Sequence, residues 1–484
     1  MSEAQTSDIN RQTSNALLLS FFRTYAPYQY VTLLALLALI RLPLLISPLP
    51  LLIPELNWLL VGEQMNQGHL LYRDIWDSVS PLSALVYWLL HAVFGRSQLS
   101  FQVAATVVSA FQVAYFNYLT NTRNVYKERN FWPGLLYGLF LHLSFDCLTL
   151  SPALLTTTFL LLAFGTLIRQ MERRGATDEV FEAGLYVGLA TLCYLPSAVF
   201  MLWASVSLLL FTGATFRQHS LALFGFLFPI AVTVLFYYFY DSLDDFNRNL
   251  LAAVFRVRQY PLSDFGAVLA ALAVPLVVGV LGFLRLLGTS TNNFQQRCQQ
   301  IMMLWFVAAL LTVLLAPFLA PMVFLPFVPV LAFFAVFYFE TFRRFWQAEI
   351  VFLGMLGLLL LVFYQGALGI IPGLEVGRLT KLWVKPSPLP GTIEHQKILI
   401  IGEDLSAYRE NLVATPYLNW DLARYDLENL DNYEAVINAY DHFRADPPRY
   451  IIDRENVIPK LFQRAPALAA QYEKTAEAGV YKRR

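Results

Sequence analysis

The chain has 484 residues, 57% of them hydrophobic, 15% aromatic and only 14% charged, with a mean hydropathy of +0.52. That is far more apolar than soluble usage and reads as a multi-spanning membrane protein. Lys plus Arg and Asp plus Glu balance at 34 each, so no basic excess points to a nucleic-acid partner, and the information lies in where the charges sit.

Residues 1–28 form a polar N-terminal tail with Arg11 and Arg23, placed in the cytoplasm. The apolar run that follows is long enough to span, so a cleaved signal peptide is not expected. A bilayer core of about 30 Å requires about 20 apolar helical residues. On that measure the crossings fall near 29–48, 99–119, 131–150, 152–169, 181–196, 197–213, 219–240, 264–287, 299–317, 321–339 and 350–371, eleven in all, making residues 29–371 an all-α membrane domain. Basic clusters at Arg123/Lys127/Arg129, Arg169/Arg173/Arg174, Arg217, Arg285/Arg297 and Arg343/Arg344 alternate with tight or acidic loops. Positive charge on cytoplasmic loops then places the N-terminus inside and the C-terminus outside, and the localisation expected is the inner (cytoplasmic) membrane.

The first outer loop, 49–98, is acidic, aromatic and amphipathic. Its segment 81–95, PLSALVYWLLHAVFG, is short for a span and reads as a re-entrant or interfacial helix; a short true span with one rule-breaking loop is the alternative. After Pro372, residues 372–396 have a proline-rich linker composition. Residues 397–484 read as a small extracytoplasmic α/β domain: KILIIG as a buried strand, DLSAYRENL as helix-like, DNYEAVINAYDHFRADPP as an amphipathic helix, and RYIID as a second strand pairing in parallel with the first. Cys147, Cys193 and Cys298 lie in or beside apolar segments and fit neither a disulfide framework nor metal spacing. No metal motif is present, and the cofactor stays unknown, a divalent metal included.

Several residues carry candidate chemistry. Glu55 follows Pro54 just beyond the first span, on a stripe of Leu56, Leu59, Leu60 and Met65 that would lay a helix on the bilayer surface. A carboxylate desolvated there gains basicity; the alternative is a charge favoured by the helix N-terminus. Glu63 reads as a solvated face residue. Asp74 and Asp77 are substrate contacts, or pair with Arg73 or cap segment 81–95. Asp146, near the outer end of an apolar span, is functional by default for an intramembrane acid, or snorkels to the interface. Arg41, inside the first span, requires an anion: Glu55, Asp146 or a substrate phosphate. In the loop after span seven, Arg248, Arg256 and Arg258 face anionic head groups or a lipid-linked phosphate, or lie on a solvated helix. His91, His142 and His219 are dispersed and suggest nothing.

Together these residues resemble the GT-C superfamily of polytopic glycosyltransferases, in particular the bacterial branch similar to protein mannosyltransferases and aminoarabinose transferases. The likeness covers about 28–213: Arg41 late in the first span, Glu55 opening the first outer loop, Gly68, Tyr72 and Asp74, then Pro81-Leu82 with Tyr87 and Trp88, Phe94-Gly95, and Asp146 in the place of a second acidic residue. The resemblance implies a polyprenyl-phosphate sugar donor and an envelope protein or glycan acceptor. It also implies Glu55 as general base, Asp146 as a second acidic contact, and Arg41 with Arg256 or Arg258 as phosphate binders; Tyr72 joins Asp74 and Asp77 as a substrate-binding candidate. Two departures stand out: the family opens this loop with Asp, often Asp-Glu, and carries Pro-Pro-Leu where Ser80-Pro81-Leu82 stands here. They leave open a non-catalytic envelope scaffold. A transporter would show paired broken helices or an internal repeat, and the sequence has neither.

Overall fold

The computed structural model describes residues 18–47, 49–172, 177–251, 262–288, 291–373, 377–386, 393–414 and 416–484. The chain forms two compact units, one of Met1–Leu49, Gln102–Pro229 and Gln259–Leu379, the other of Pro50–Phe101, Ile230–Arg258 and Thr380–Arg484.

Among the described residues nine helices are long and apolar enough to cross a bilayer: Tyr28–Ile46, Gln98–Thr122, Pro152–Glu172, Leu195–Thr212, Phe216–Phe239, Phe265–Leu286, Asn293–Leu314, Pro321–Glu340 and Phe345–Leu368. The protein is a multi-pass membrane protein. These nine coincide with nine of the eleven segments read from hydropathy; the other two are shorter elements. Segment 131–150 is a helix over Trp132–Phe140 followed by a tight turn at Phe145–Leu148. Segment 181–196 is the 16-residue helix Asp178–Cys193. All nine residues of Trp132–Phe140 are buried in protein, and backbone shielded from lipid is free to break its helix. Hydropathy alone does not see that break.

Pro321–Glu340, in the first unit, is buried over 89% of its most apolar window, and Phe216–Phe239, which runs from the first unit into the second, over only 22%, so the former is a core helix and the latter leaves most of its apolar side chains exposed. Small residues set the closest helix approach. A Cβ on Gly184 would lie 1.9 Å from the Ala222 carbonyl oxygen and one on Gly188 2.5 Å from that of Phe226, the small-xxx-small spacing that lets membrane helices touch through their backbones.

The second unit is built on a five-stranded sheet: β1 (Lys397–Ile401), β2 (Leu412–Val413), β3 (Tyr450–Asp453), β4 (Tyr472–Lys474) and β5 (Val480–Arg483), in the order β2-β1-β3-β5-β4. β1 and β3 pair in parallel, Ile398 against Tyr450 and Ile401 against Asp453, as the two apolar runs predict. Ile398, Leu399, Ile400 and Ile401 are all buried; a strand covered on both faces reads as a continuous apolar run. DLSAYRENL is helical over only four residues, a 3-10 turn at Ser406–Arg409, before the chain runs into β2. The crossover to β3 runs instead through helices Trp420–Leu427 and Tyr433–Ala445, each capped by an asparagine side chain, Asn419 and Asn432.

Part of segment 49–98 belongs to this core. Trp76 packs with Tyr417, Trp420, Leu422, Phe443 and Leu399; its backbone N–H donates to the Pro416 carbonyl at 2.8 Å and its carbonyl accepts from the Asn419 backbone N–H at 3.1 Å.

Candidate active site

Pro54 opens the helix Ile53–Asn66 and sets Glu55 in its first turn, where unpaired backbone N–H groups favour a carboxylate. The entry to the helix is pinned by two backbone bonds, Ile53 N–H to the Leu382 carbonyl (2.7 Å) and Val384 N–H to that of Leu51 (2.8 Å). Glu55 is 2% exposed, and Gln98 donates from Nε2 to its Oε2 at 2.9 Å.

This helix does not lie on a surface by one stripe. Leu56, Trp58, Leu59, Leu60, Val61, Glu63 and Gln64 are all buried, because helix Pro81–Phe94 packs against it; a Cβ on Gly62 would sit 2.6 Å from the Tyr87 carbonyl oxygen. Glu63 is therefore not a solvated residue. It pairs with Arg96, whose Nε donates to Oε2 at 2.7 Å and whose Nη2 closes on the same oxygen. Arg96 also donates to the carbonyls of Tyr408 (2.7 Å), Arg409 (3.2 Å) and Asn411 (3.1 Å). The 49–98 loop carries four acids and two arginines, and that balance was the available signal for an internal pair.

Tyr72, Asp74 and Asp77 lie on one turn. Tyr72 adopts a left-handed backbone, φ 72°, an outlier for a bulky residue that persists only where its surroundings hold it. It is fully buried, with its hydroxyl donating to the Val79 carbonyl at 2.6 Å. Asp74 takes a two-pronged contact from Arg73, 2.8 and 2.9 Å, and the Leu70 N–H at 2.8 Å. Partial burial pushes its carboxyl up, and the Arg73 fork with the Leu70 bond outweighs that, holding it below the ordinary carboxylate range. Asp77 is 2% exposed; its oxygens accept from Asn57 Nδ2 (2.8 Å) and from the Val79 N–H (2.7 Å). Burial pushes its carboxyl up despite those bonds. Asn57 stands two residues after Glu55, so Asp77 is fastened to the helix that carries Glu55.

In the first unit Arg41 is 1% exposed, and its bonds among the described residues of that unit go to neutral side chains. Its Nε donates to His142 Nε2 (3.0 Å), Nη1 to Thr106 Oγ1 (3.0 Å) and Nη2 to Ser109 Oγ (2.8 Å). The His142 Nδ1 lies 2.7 Å from the Gly138 carbonyl, which fixes a neutral ring with a lone pair facing Arg41. His142, silent in the sequence, thus serves as an acceptor for a buried cation.

Asp146 is not in a span helix. It sits in the turn Phe145–Leu148, 1% exposed, and accepts the Met322 N–H at 2.8 Å, where a carboxylate caps the helical turn Pro321–Phe327. Cys147 Sγ lies 3.8 Å from its Oδ1. Arg256 and Arg258 lie outside the described residues. Among the described residues no cluster of three His, Cys, Asp or Glu side chains is arranged to hold a metal ion.

No protein-family model and no curated protein sequence matches the chain. Solved structures do. ArnT from Cupriavidus metallidurans in the apo state superposes with a TM-score of 0.50 at 11% identity over 68% of this chain and 63% of that one. The same protein bound to undecaprenyl phosphate gives 0.48 at 10% identity, over 68% and 64%. The archaeal oligosaccharyltransferase AglB from Archaeoglobus fulgidus, in complex with an inhibitory peptide and a dolichol-phosphate, gives 0.47 at 11% identity, over 94% and 74%. This chain spans a little under two thirds of the length of the ArnT chains. At such identities the likeness is one of fold, and the apo ArnT superposition carries it: the chain shares the fold of that ArnT structure.

Proposed function

We propose that this protein is an integral-membrane glycosyltransferase of the inner membrane that moves a sugar from a polyprenyl-phosphate donor to an envelope protein or glycan on the extracytoplasmic side. The observation that carries the reading is Glu55: a carboxylate buried in the first turn of the helix Ile53–Asn66, with an amide donor on one oxygen. The Glu55 carboxylate accepts the proton of an acceptor hydroxyl or amide. The acceptor atom forms a bond to the anomeric carbon, the bond from that carbon to the phosphate oxygen breaks, and polyprenyl phosphate leaves with the electron pair. Asp146 is the second acidic contact, and Tyr72, Asp74 and Asp77 shape the substrate-facing turn. Arg41, a buried guanidinium bonded to His142, Thr106 and Ser109, acts with Arg256 or Arg258 on the phosphate charge.

A second reading, a non-catalytic envelope scaffold, is favoured by a specific observation. Asp146 caps a helical turn, Asp74 is paired with Arg73, and Asp77 closes its own turn, so these carboxylates have structural employment. Release of polyprenyl phosphate from a labelled polyprenyl-phosphate sugar by the purified protein supports the enzyme. No release across donor sugars, with the protein folded, supports the scaffold.

A further inference from the structure

Arg248, grouped by the sequence with Arg256 and Arg258 as lipid- or phosphate-facing, faces protein instead. Its guanidinium carbon lies 4.6 Å from the centroid of the Trp76 ring and 5.0 Å from that of Tyr425. Its Nη2 donates to Asp426 Oδ1 at 2.6 Å, and Asp426 is 4% exposed. A flat cation between two aromatic faces with a buried carboxylate at its edge is a geometry that arginine makes and lysine does not. The neighbouring residues dock on the same turn. Asn249 Nδ2 donates to the Tyr72 carbonyl at 2.7 Å, and Phe246 meets the Tyr72 ring edge-on at 5.4 Å while stacking on Tyr237 at 4.9 Å.

The turn Tyr72–Asp77 is thus held from two sides, by segment 243–251 and by the C-terminal sheet domain through Trp76. Its last residue, Asp77, is bonded to Asn57 on the Glu55 helix. We infer that Arg248 is a positioning residue: it ties segment 243–251 to Trp76 and Asp426, and through the Tyr72–Asp77 turn sets the helix on which Glu55 stands. This rests on the reading of Glu55 as the base of a glycosyl transfer.

The test uses the full chain in detergent or nanodiscs, with amide hydrogen exchange and donor turnover read on the same samples. For Arg248→Ala, exchange in 243–251 and in 72–77 should quicken about tenfold, the loss typical of a charge-assisted bond with an aromatic partner. The kcat for donor consumption should fall while the donor KM stays within about twofold, because orientation and not donor binding is disturbed. Arg248→Lys, which keeps the charge and loses the flat face, should lie between. Asp426→Asn, isosteric and uncharged, gives the same reading should Arg248→Ala not fold. Unchanged exchange in both segments overturns the inference whatever the activity. Faster exchange with kcat at the wild-type level overturns the positioning role. A wild type that consumes no donor overturns the enzyme reading instead, and the exchange data still decide whether Arg248 holds the two segments together.

Discussion

Arg96 and Glu63 form a half-buried ion pair whose cation also donates to three backbone carbonyls of the C-terminal sheet domain. One guanidinium satisfies a buried carboxylate and fixes the turn between β1 and β2 to the Glu55 helix. Removing it leaves Glu63 buried without its counter-charge. Arg96→Ala should therefore destabilise the protein by about 3 kcal/mol, the low end for breaking a buried pair because Arg96 is partly exposed. Glu63→Gln in the same chain should recover part of that loss. Thermal unfolding of the two single variants and the double variant checks it; strictly additive losses would show the two residues uncoupled.

Gly62 is a contact point between backbones. With a Cβ 2.6 Å from the Tyr87 carbonyl oxygen, Gly62→Ala forces helices Ile53–Asn66 and Pro81–Phe94 apart, an overpacking that costs about 1–3 kcal/mol. Gly68→Ala makes an instructive comparison: nothing lies within 4 Å of its Cβ, and its φ of +93° makes the penalty one of backbone strain. Exchange in residues 81–94 should quicken in the first variant and not in the second.

His442 gives the sheet domain a pH dependence. It lies in the helix Tyr433–Ala445, accepts from or donates to the Tyr417 hydroxyl at 2.9 Å and packs edge-on against Trp76. Burial lowers its pKa from 6.5; Asp426, Asp441 and Asp74 push it up and Arg248 down. The folded state thus holds the ring neutral where the unfolded chain takes up a proton. The stability it contributes is present above pH 6.5 and is lost as pH falls through 6.5 toward the folded value, by at most about 1.4 kcal/mol per pH unit. His442→Gln should flatten the acid side of the unfolding-temperature profile between pH 7.5 and 5.5. An unchanged profile would assign the acid sensitivity to other groups.

Topology is open to direct labelling. Nine and eleven crossings are both odd, so both set the two ends of the membrane region on opposite sides, and both place the loop after Gln98–Thr122 on the side of the N-terminus. The native cysteines are all buried, so single cysteines at Lys127 and Asn429, both exposed, can be read against a low background. An impermeant thiol reagent applied from outside should label Asn429→Cys and not Lys127→Cys. Labelling of both from one side would contradict the alternation of basic loops.

The fold was legible where a segment's environment is uniform along its length. Long apolar helices announce themselves by composition, and KILII and YIID by being covered on both faces. What the sequence did not carry was long-range pairing. Glu63 looks solvated until Arg96 is brought to it, Arg248 looks like a lipid contact until Trp76 and Asp426 surround it, and His142 has no pattern at all until Arg41 needs a neutral acceptor. Asp146 was misplaced for a related reason: an apolar stretch hides a break in the helix when neighbouring protein, and not lipid, surrounds the backbone.

The central claim is that Glu55 takes the acceptor proton. Glu55→Gln keeps the size of the side chain and an oxygen for the Gln98 bond while removing the base. Turnover of a labelled polyprenyl-phosphate sugar by purified wild type and variant, matched for folded protein, should differ by about 10²–10⁴-fold, the usual loss for one acid–base group. A variant that consumes donor at the wild-type rate would contradict the account and leave Glu55 a structural residue.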